Sequence, residues 1–172
     1  QSIFPLSNFY LNLAIYLNND FKAFEILLAE NLYNTKNYSK AKKTYEKLSK
    51  HGIAFKWHAS KQISRILLLE DDKSQSLKKL QEAYNDLIYK RDYETFDYAE
   101  FLKNNEKFEE SIKYYTEVLN KVDTKHPLYT SATEGRGVAY ERIGEWEKAE
   151  KDLLASLEAG PDQAYVINYL AY

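Results

Sequence analysis

The stretch TSATEGRGVAYERIGEWEKAEKDLLASLEAGP, from Thr130 to Pro161, decides how this chain is read. Within it Trp146, Ala149, Leu153 and Ser156 place an aromatic, a small, a large and a small residue on one face of a helix. Working outward toward the N-terminus, the same order returns at steps of 34 to 38 residues. Phe108, Ser111, Tyr115 and Val118 repeat it; Lys73, Ser76, Leu80 and Ala83 repeat it again. Tyr38, Ala41, Tyr45 and Leu48 come next, and Phe4, Ser7, Leu11 and Ala14 come first.

A companion stripe precedes each of the last four registers. It comprises Leu28-Ala29, Ile63-Ser64, Tyr98-Ala99 and Arg136-Gly137, followed in turn by Leu32, Leu67, Leu102 and Tyr140. A small residue beside a large one lets a paired helix approach closely while its neighbours fill the gaps. Polar turns fall between the two helices of each pair, at Asn34 to Asn37, Asp71 to Lys73, Asn104 to Lys107 and Gly144 to Glu145. Gly52, Pro127 and Gly160-Pro161 separate one pair from the next, where glycine suits a left-handed residue and proline a helix start. No run alternates between apolar and polar residues as a strand would.

Composition narrows the function classes. The chain has 172 residues, 44% hydrophobic and 29% charged, with a formal net charge of −2. That charge offers nothing to a phosphate backbone, so nucleic acid is not the expected partner. No apolar run reaches the length of a membrane span. There is no cysteine, which excludes disulfides and thiolate chemistry.

These residues resemble the tetratricopeptide repeat (TPR) family, whose unit is about 34 residues. The fourth unit carries the resemblance most fully, with Gly137, Tyr140, Gly144, Trp146, Ala149, Leu153 and Pro161 at family spacing. Arg136 and Lys73 depart from it, standing where an apolar and an aromatic residue are expected. The resemblance implies an all-α fold, a right-handed α-α superhelix of stacked helix pairs. It implies a single array over residues 1–172: a half repeat at 4–18, repeats at 22–53, 57–90, 92–125 and 130–161, and the start of another at 163–172. The stretch from Arg136 through Gly160-Pro161-Asp162-Gln163 to Asn168-Tyr169-Leu170 is similar to long bacterial, especially alphaproteobacterial, TPR proteins. That implies a periplasmic or envelope setting over a cytoplasmic one.

In the family, the first helix of each pair lines a concave face that holds an extended peptide or a partner helix. Carried onto this chain, the inward positions include Glu30 and Tyr33; His58, Lys61 and Arg65; Tyr93, Phe96, Glu100, Lys103 and Asn104; and Glu134, Val138 and Arg142. Lys61 and Arg65 stand four apart, so both heads point to one side, with His58 a turn earlier. Two readings stand for them: a cationic notch for a carboxylate, or a solvated face with ion pairs to Glu30 and Glu100. Tyr33, Tyr93 and Phe96 either stack on a ligand or pack between repeats. The family's carboxylate clamp is not supplied: Ile26, Glu30 and Gln62 fail its pattern, and Lys61 and Arg65 are followed by Asp97.

No catalytic constellation is present in the sequence. His51, His58 and His126 are far apart, so neither a metal site nor a cofactor is expected. Glu109-Glu110 and Asp71-Asp72 read as solvated charge. Gly135-Arg136-Gly137 lies within a helix pattern and follows no strand, so it reads as close packing against the preceding pair and not as a phosphate loop. Trp57 and Trp146 read as opening their helices and filling gaps between repeats. The expected function is a non-enzymatic scaffold for a protein or peptide partner. The alternatives are a self-associating module, through apolar ends at Ile3-Phe4-Pro5-Leu6 and Val166-Ile167, and the docking arm of an enzyme whose catalytic domain lies elsewhere.

Overall fold

A computed structural model describes residues 3–161 together with 166 and 167. Among the described residues the chain is all helical, with α1 at Phe4–Leu17, α2 at Ala23–Asn34, α3 at Tyr38–Leu48, α4 at Ile53–Leu69 and α5 at Lys73–Asn85. Then follow α6 at Asp92–Asn104, α7 at Phe108–Leu119, α8 at Tyr129–Arg142 and α9 at Trp146–Ala159. They fall into two compact units, within residues 1–88 and 89–172.

In the first unit α1 packs on α2, α2 on α3, α3 on α4 and α4 on α5. In the second, α6 packs on α7, α7 on α8 and α8 on α9, and α6 also touches α8. Each pair buries one small residue from each of its two helices. Ala29 and Ala41, Ser64 and Ser76, and Ala99 and Ser111 are all fully buried, as are Gly137 and Ala149 in the last pair. At the α4–α5 crossing the two serines clip the helices together: the Ser76 hydroxyl donates to the Ser64 carbonyl at 2.8 Å, and the Ser64 hydroxyl to the Ser76 carbonyl at 3.1 Å. Two buried hydroxyls are thereby satisfied without opening the crossing.

The turns inside the four pairs share one geometry. Lys36, Asp71, Glu106 and Gly144 have φ of 59°, 61°, 63° and 81°. In each turn the next residue's amide reaches back to the stripe residue in the helix: Asn37 to Leu32, Asp72 to Leu67, Lys107 to Leu102 and Glu145 to Tyr140, at 2.8 to 2.9 Å. The left-handed residue itself donates to Tyr33, Leu68, Lys103 or Glu141. This double closure satisfies carbonyls that the helix end would leave open. Between pairs, Gly52 has φ 123°, whereas Gly160 is extended at φ −151° and so ends its helix without the left-handed turn foreseen there.

Three sequence expectations change. The helix holding Trp57 starts at Ile53, so Trp57 lies a turn inside α4, buried against Tyr84 with ring centroids 5.9 Å apart. Trp146 fills no gap: it opens α9 but is 65% exposed, because the covering role passes to Ala149 and Leu153 one and two turns further on. Gly137 packs on Leu153 and Asp152 of its own pair, and only Gly135 faces the preceding pair, at Tyr115. The foreseen repeat start at 163–172 lies outside the described residues except at Val166, which is buried, and Ile167, which is half exposed.

Candidate functional site

In the first unit the polar positions of α2 and α4 gather around one tyrosine. Tyr45 comes from α3, at the position where the stripe needs a large residue, and is 1% exposed. Burial pushes its hydroxyl pKa up; the charge of Glu30 and the neighbouring Tyr33 add to that, and Arg65 opposes it. His58 of α4 sets its ring edge-on to Tyr45 with centroids 6.0 Å apart, and its buried Nε2 has no hydrogen-bond partner among the described residues. Burial lowers the His58 pKa; Lys61 and Arg65 lower it further, and Glu30 opposes them. The Lys61 ammonium lies over the Trp57 ring, 5.7 Å from its centroid, and Arg65 is exposed. Tyr33 is half-buried on the core with its ring 5.6 Å from that of Tyr38, so it serves packing. Glu30, His58, Lys61 and Arg65 are therefore neighbours, with a buried phenol beneath them that the sequence stripe counts only as a filler.

The second unit repeats the device with different partners. Tyr115 of α7 holds the same register as Tyr45 and is fully buried. Its hydroxyl donates a short hydrogen bond to Glu100 of α6, which also accepts from Lys103 at 2.8 Å. The Lys103 ammonium lies 5.9 Å from the centre of the Tyr115 ring, and Phe96 meets that ring edge-on at 6.1 Å. Burial raises the Tyr115 pKa strongly, and the charge and hydrogen bond of Glu100 and the charge of Glu134 reinforce it. Gly135 makes this possible, since a Cβ there would lie 2.6 Å from the Tyr115 ring and hydroxyl. Tyr93 stands apart, 53% exposed and tilted against His126 at 6.0 Å.

Beside that cluster opens a cavity of about 650 Å³. It is lined by Lys103 and Asn104 of α6, by Glu134, Val138 and Arg142 of α8, and by Glu106 and Phe108. Glu134, Val138 and Arg142 follow one another at four-residue steps, a single face of α8. Of the foreseen inward positions, Lys103, Asn104, Glu134, Val138 and Arg142 line this space; Tyr93, Phe96 and Glu100 do not. Glu100 takes its hydrogen bonds from Lys103 and Tyr115, which accounts for its charge without the Lys61–Arg65 pair.

No protein-family model matches the chain, and no curated protein sequence matches it. Solved structures do. The chain is similar to YrrB, described as a TPR protein with an unusual peptide-binding site, at 17% identity and a TM-score of 0.70, over 98% of this chain and 84% of that one. It is similar to MamA at 16% identity and a TM-score of 0.65, over 94% and 85%. The C-terminal part of a TPR repeat-containing protein from Cytophaga hutchinsonii aligns at 19% identity and a TM-score of 0.65, over 92% of this chain and 62% of that one. The fold is that of a TPR protein.

Two features of this TPR fold escape the sequence stripe. Arg136 is the first: its guanidinium bonds Asp152 of α9 through Nε at 2.6 Å and Nη2 at 2.9 Å, and gives Nη1 to Thr116 of α7 at 3.1 Å. Burial works against the Arg136 charge, but the Asp152 carboxylate outweighs it and raises the pKa. What looks like a lost apolar residue is thus a cross-link between three helices. Glu25 is the second: it is 2% exposed, with Oε1 3.3 Å from Lys22 and 3.5 Å from Lys47. An acidic residue in a helix's first turn is the signal that could have marked it.

Proposed function

We propose that this chain is an interaction scaffold that holds a peptide or an extended segment of a partner protein against the first-helix side of its helix pairs. The observation that supports it is the coincidence of the α6–α8 cavity with the inward positions of the repeat: Lys103, Asn104, Glu134, Val138 and Arg142 all line it. The peptide-binding site described for YrrB supports the class of ligand.

The test is selection of a random peptide library on the whole chain, followed by a count of which peptides depend on the face. Val138→Arg fills the cavity from its wall, and Lys61→Glu with Arg65→Glu reverses the cations of the first unit. Both variants should keep the helical circular dichroism of the parent, since Val138 and Lys61 are half-buried and Arg65 is exposed. Selected peptides should lose at least about ten-fold in affinity to one variant or the other, the scale of one charge-assisted contact. Peptides indifferent to both variants would overturn the reading.

A second reading has its own observation. Helix α1 carries no charged residue, and Leu6, Phe9, Tyr10, Tyr16 and Leu17 are each more than half exposed. An apolar face of that kind supports self-association of the chain.

A further inference from the structure

The α6–α8 cavity has an uneven charge balance once each ionic group is followed to its partner. Lys103 is neutralised by Glu100 at 2.8 Å, and Glu100 points its other bond to Tyr115. Arg142 is neutralised by Glu141 at 3.4 Å. Among the described residues, neither Glu106 nor Glu134 forms an ion pair. Two cations are therefore already answered by carboxylates that do not line the cavity, while two carboxylates that do line it are not answered. Phe108 and Val138 add apolar surface between them.

That combination has a definite complement. A lysine or arginine side chain has a long apolar stem and a cationic head. The stem fits against Phe108 and Val138, and the head meets carboxylates whose charge is uncompensated. At about 650 Å³ the space lies within the roughly 300–1,000 Å³ of small-ligand sites and admits one such side chain with its flanking backbone. An acidic side chain would meet cations that already have a carboxylate partner and would also face Glu106 and Glu134.

We infer that the α6–α8 cavity is a specificity pocket for a basic side chain, lysine or arginine, of a bound peptide, with Glu134 and Glu106 as its anionic contacts. This rests on the groove reading above and adds to it a sign: the second unit selects cations, although the cationic residues Lys103 and Arg142 stand in its walls.

The probes are terminally blocked pentapeptides, Ala-Ala-X-Ala-Ala, with X lysine, norleucine or glutamate, titrated against the whole chain by amide NMR. The lysine peptide should shift the amides of residues 103–108 and 134–142, bind more tightly than the other two and weaken as salt rises. Glu134→Gln, which keeps the side chain's size, should weaken it about ten-fold. Equal binding of the norleucine peptide, preference for the glutamate peptide, or no shift with any of the three would overturn the inference. Its failure separates from failure of the groove reading in the library selection. Acidic peptides that depend on Val138 would sink the basic pocket and leave the groove standing. No peptide dependent on Val138 would sink the pocket in either form.

Discussion

Arg136 and Asp152 set the cost of error at the residue scale. Asp152 is buried and its carboxylate is held by both Nε and Nη2 of Arg136. Removing one member leaves the other charge uncompensated in a poorly solvated place, which costs about 3 kcal/mol. Asp152→Ala should therefore lower the unfolding free energy in urea by about that amount. The double variant Asp152→Ala with Arg136→Met should recover most of it, because no lone charge then remains; a double variant as unstable as the single would show that packing and not charge is at stake. His58 gives a prediction in pH. Its pKa is lowered in the folded chain, by burial first and then by Lys61 and Arg65 against Glu30. A depressed value means that the folded state binds its proton less readily than the unfolded chain does. The stabilising contribution is then present above about pH 6.5 and is lost as pH falls below it. Denaturant curves at pH 7.5 and 5.5 should show a smaller loss on acidification for His58→Gln than for the parent. An equal or larger loss would mean that the imidazole has gained an acceptor for its second nitrogen. The positions of His58 and Arg136 are legible in the sequence as register positions, but their partners are not. Tyr45 and Asp152 come from a different helix, so the pairing exists only after the helices cross.

At the element scale the fold's regularity has two sources, and only one is visible in residue types. The buried small positions are legible because size is written in the side chain: the small residues at the register of Ala41, Ser76, Ser111 and Ala149 are buried, as is a small residue on each partner helix. The turns are not legible in the same way. Gly144 announces a left-handed residue, but Lys36, Asp71 and Glu106 take the same conformation without glycine's freedom, because backbone amides at the next position fix it. A non-glycine residue pays about 1–2 kcal/mol for a left-handed conformation, and glycine gives back up to about 1 kcal/mol of that through unfolded-state entropy. Lys36 is exposed and makes no side-chain bond that the turn needs. Lys36→Gly should accordingly stabilise the chain by roughly 0.5–1 kcal/mol in thermal or urea unfolding. Destabilisation would show that the lysine side chain contributes something its exposure does not reveal. The same substitution at Glu106 would remove a proposed ligand contact as well, so the two positions separate the turn's geometry from the pocket's chemistry.

At the scale of the whole molecule the question is how a chain so polar on average handles one uncharged helix. Mean hydropathy is −0.63 and charged residues make up 29% of the chain, yet α1 has none of them and buries no residue fully. Its contact with α2 covers one side and is tied by a hydrogen bond from Asn31 to Ser7 at 3.0 Å. Leu6, Tyr10 and Leu17 lie on the other side, exposed at 61%, 59% and 74%. Two such faces can meet about a two-fold axis without desolvating any charge, and the interface so formed is self-complementary. Sedimentation equilibrium on the chain from Gln1 to Tyr172 should therefore show an apparent mass that rises with concentration. Leu6→Glu with Tyr10→Glu places carboxylates in that face and should hold the chain at monomer mass with its circular dichroism unchanged, since both residues are exposed. The net charge of −2 also matters here. It is too small to keep copies apart by general repulsion, so local charge on the face must do so, and the double variant supplies it. A parent that remains monomeric at every concentration, or a variant that associates as the parent does, would remove α1 as the contact and leave the first-helix face as the only surface of this chain proposed to bind protein.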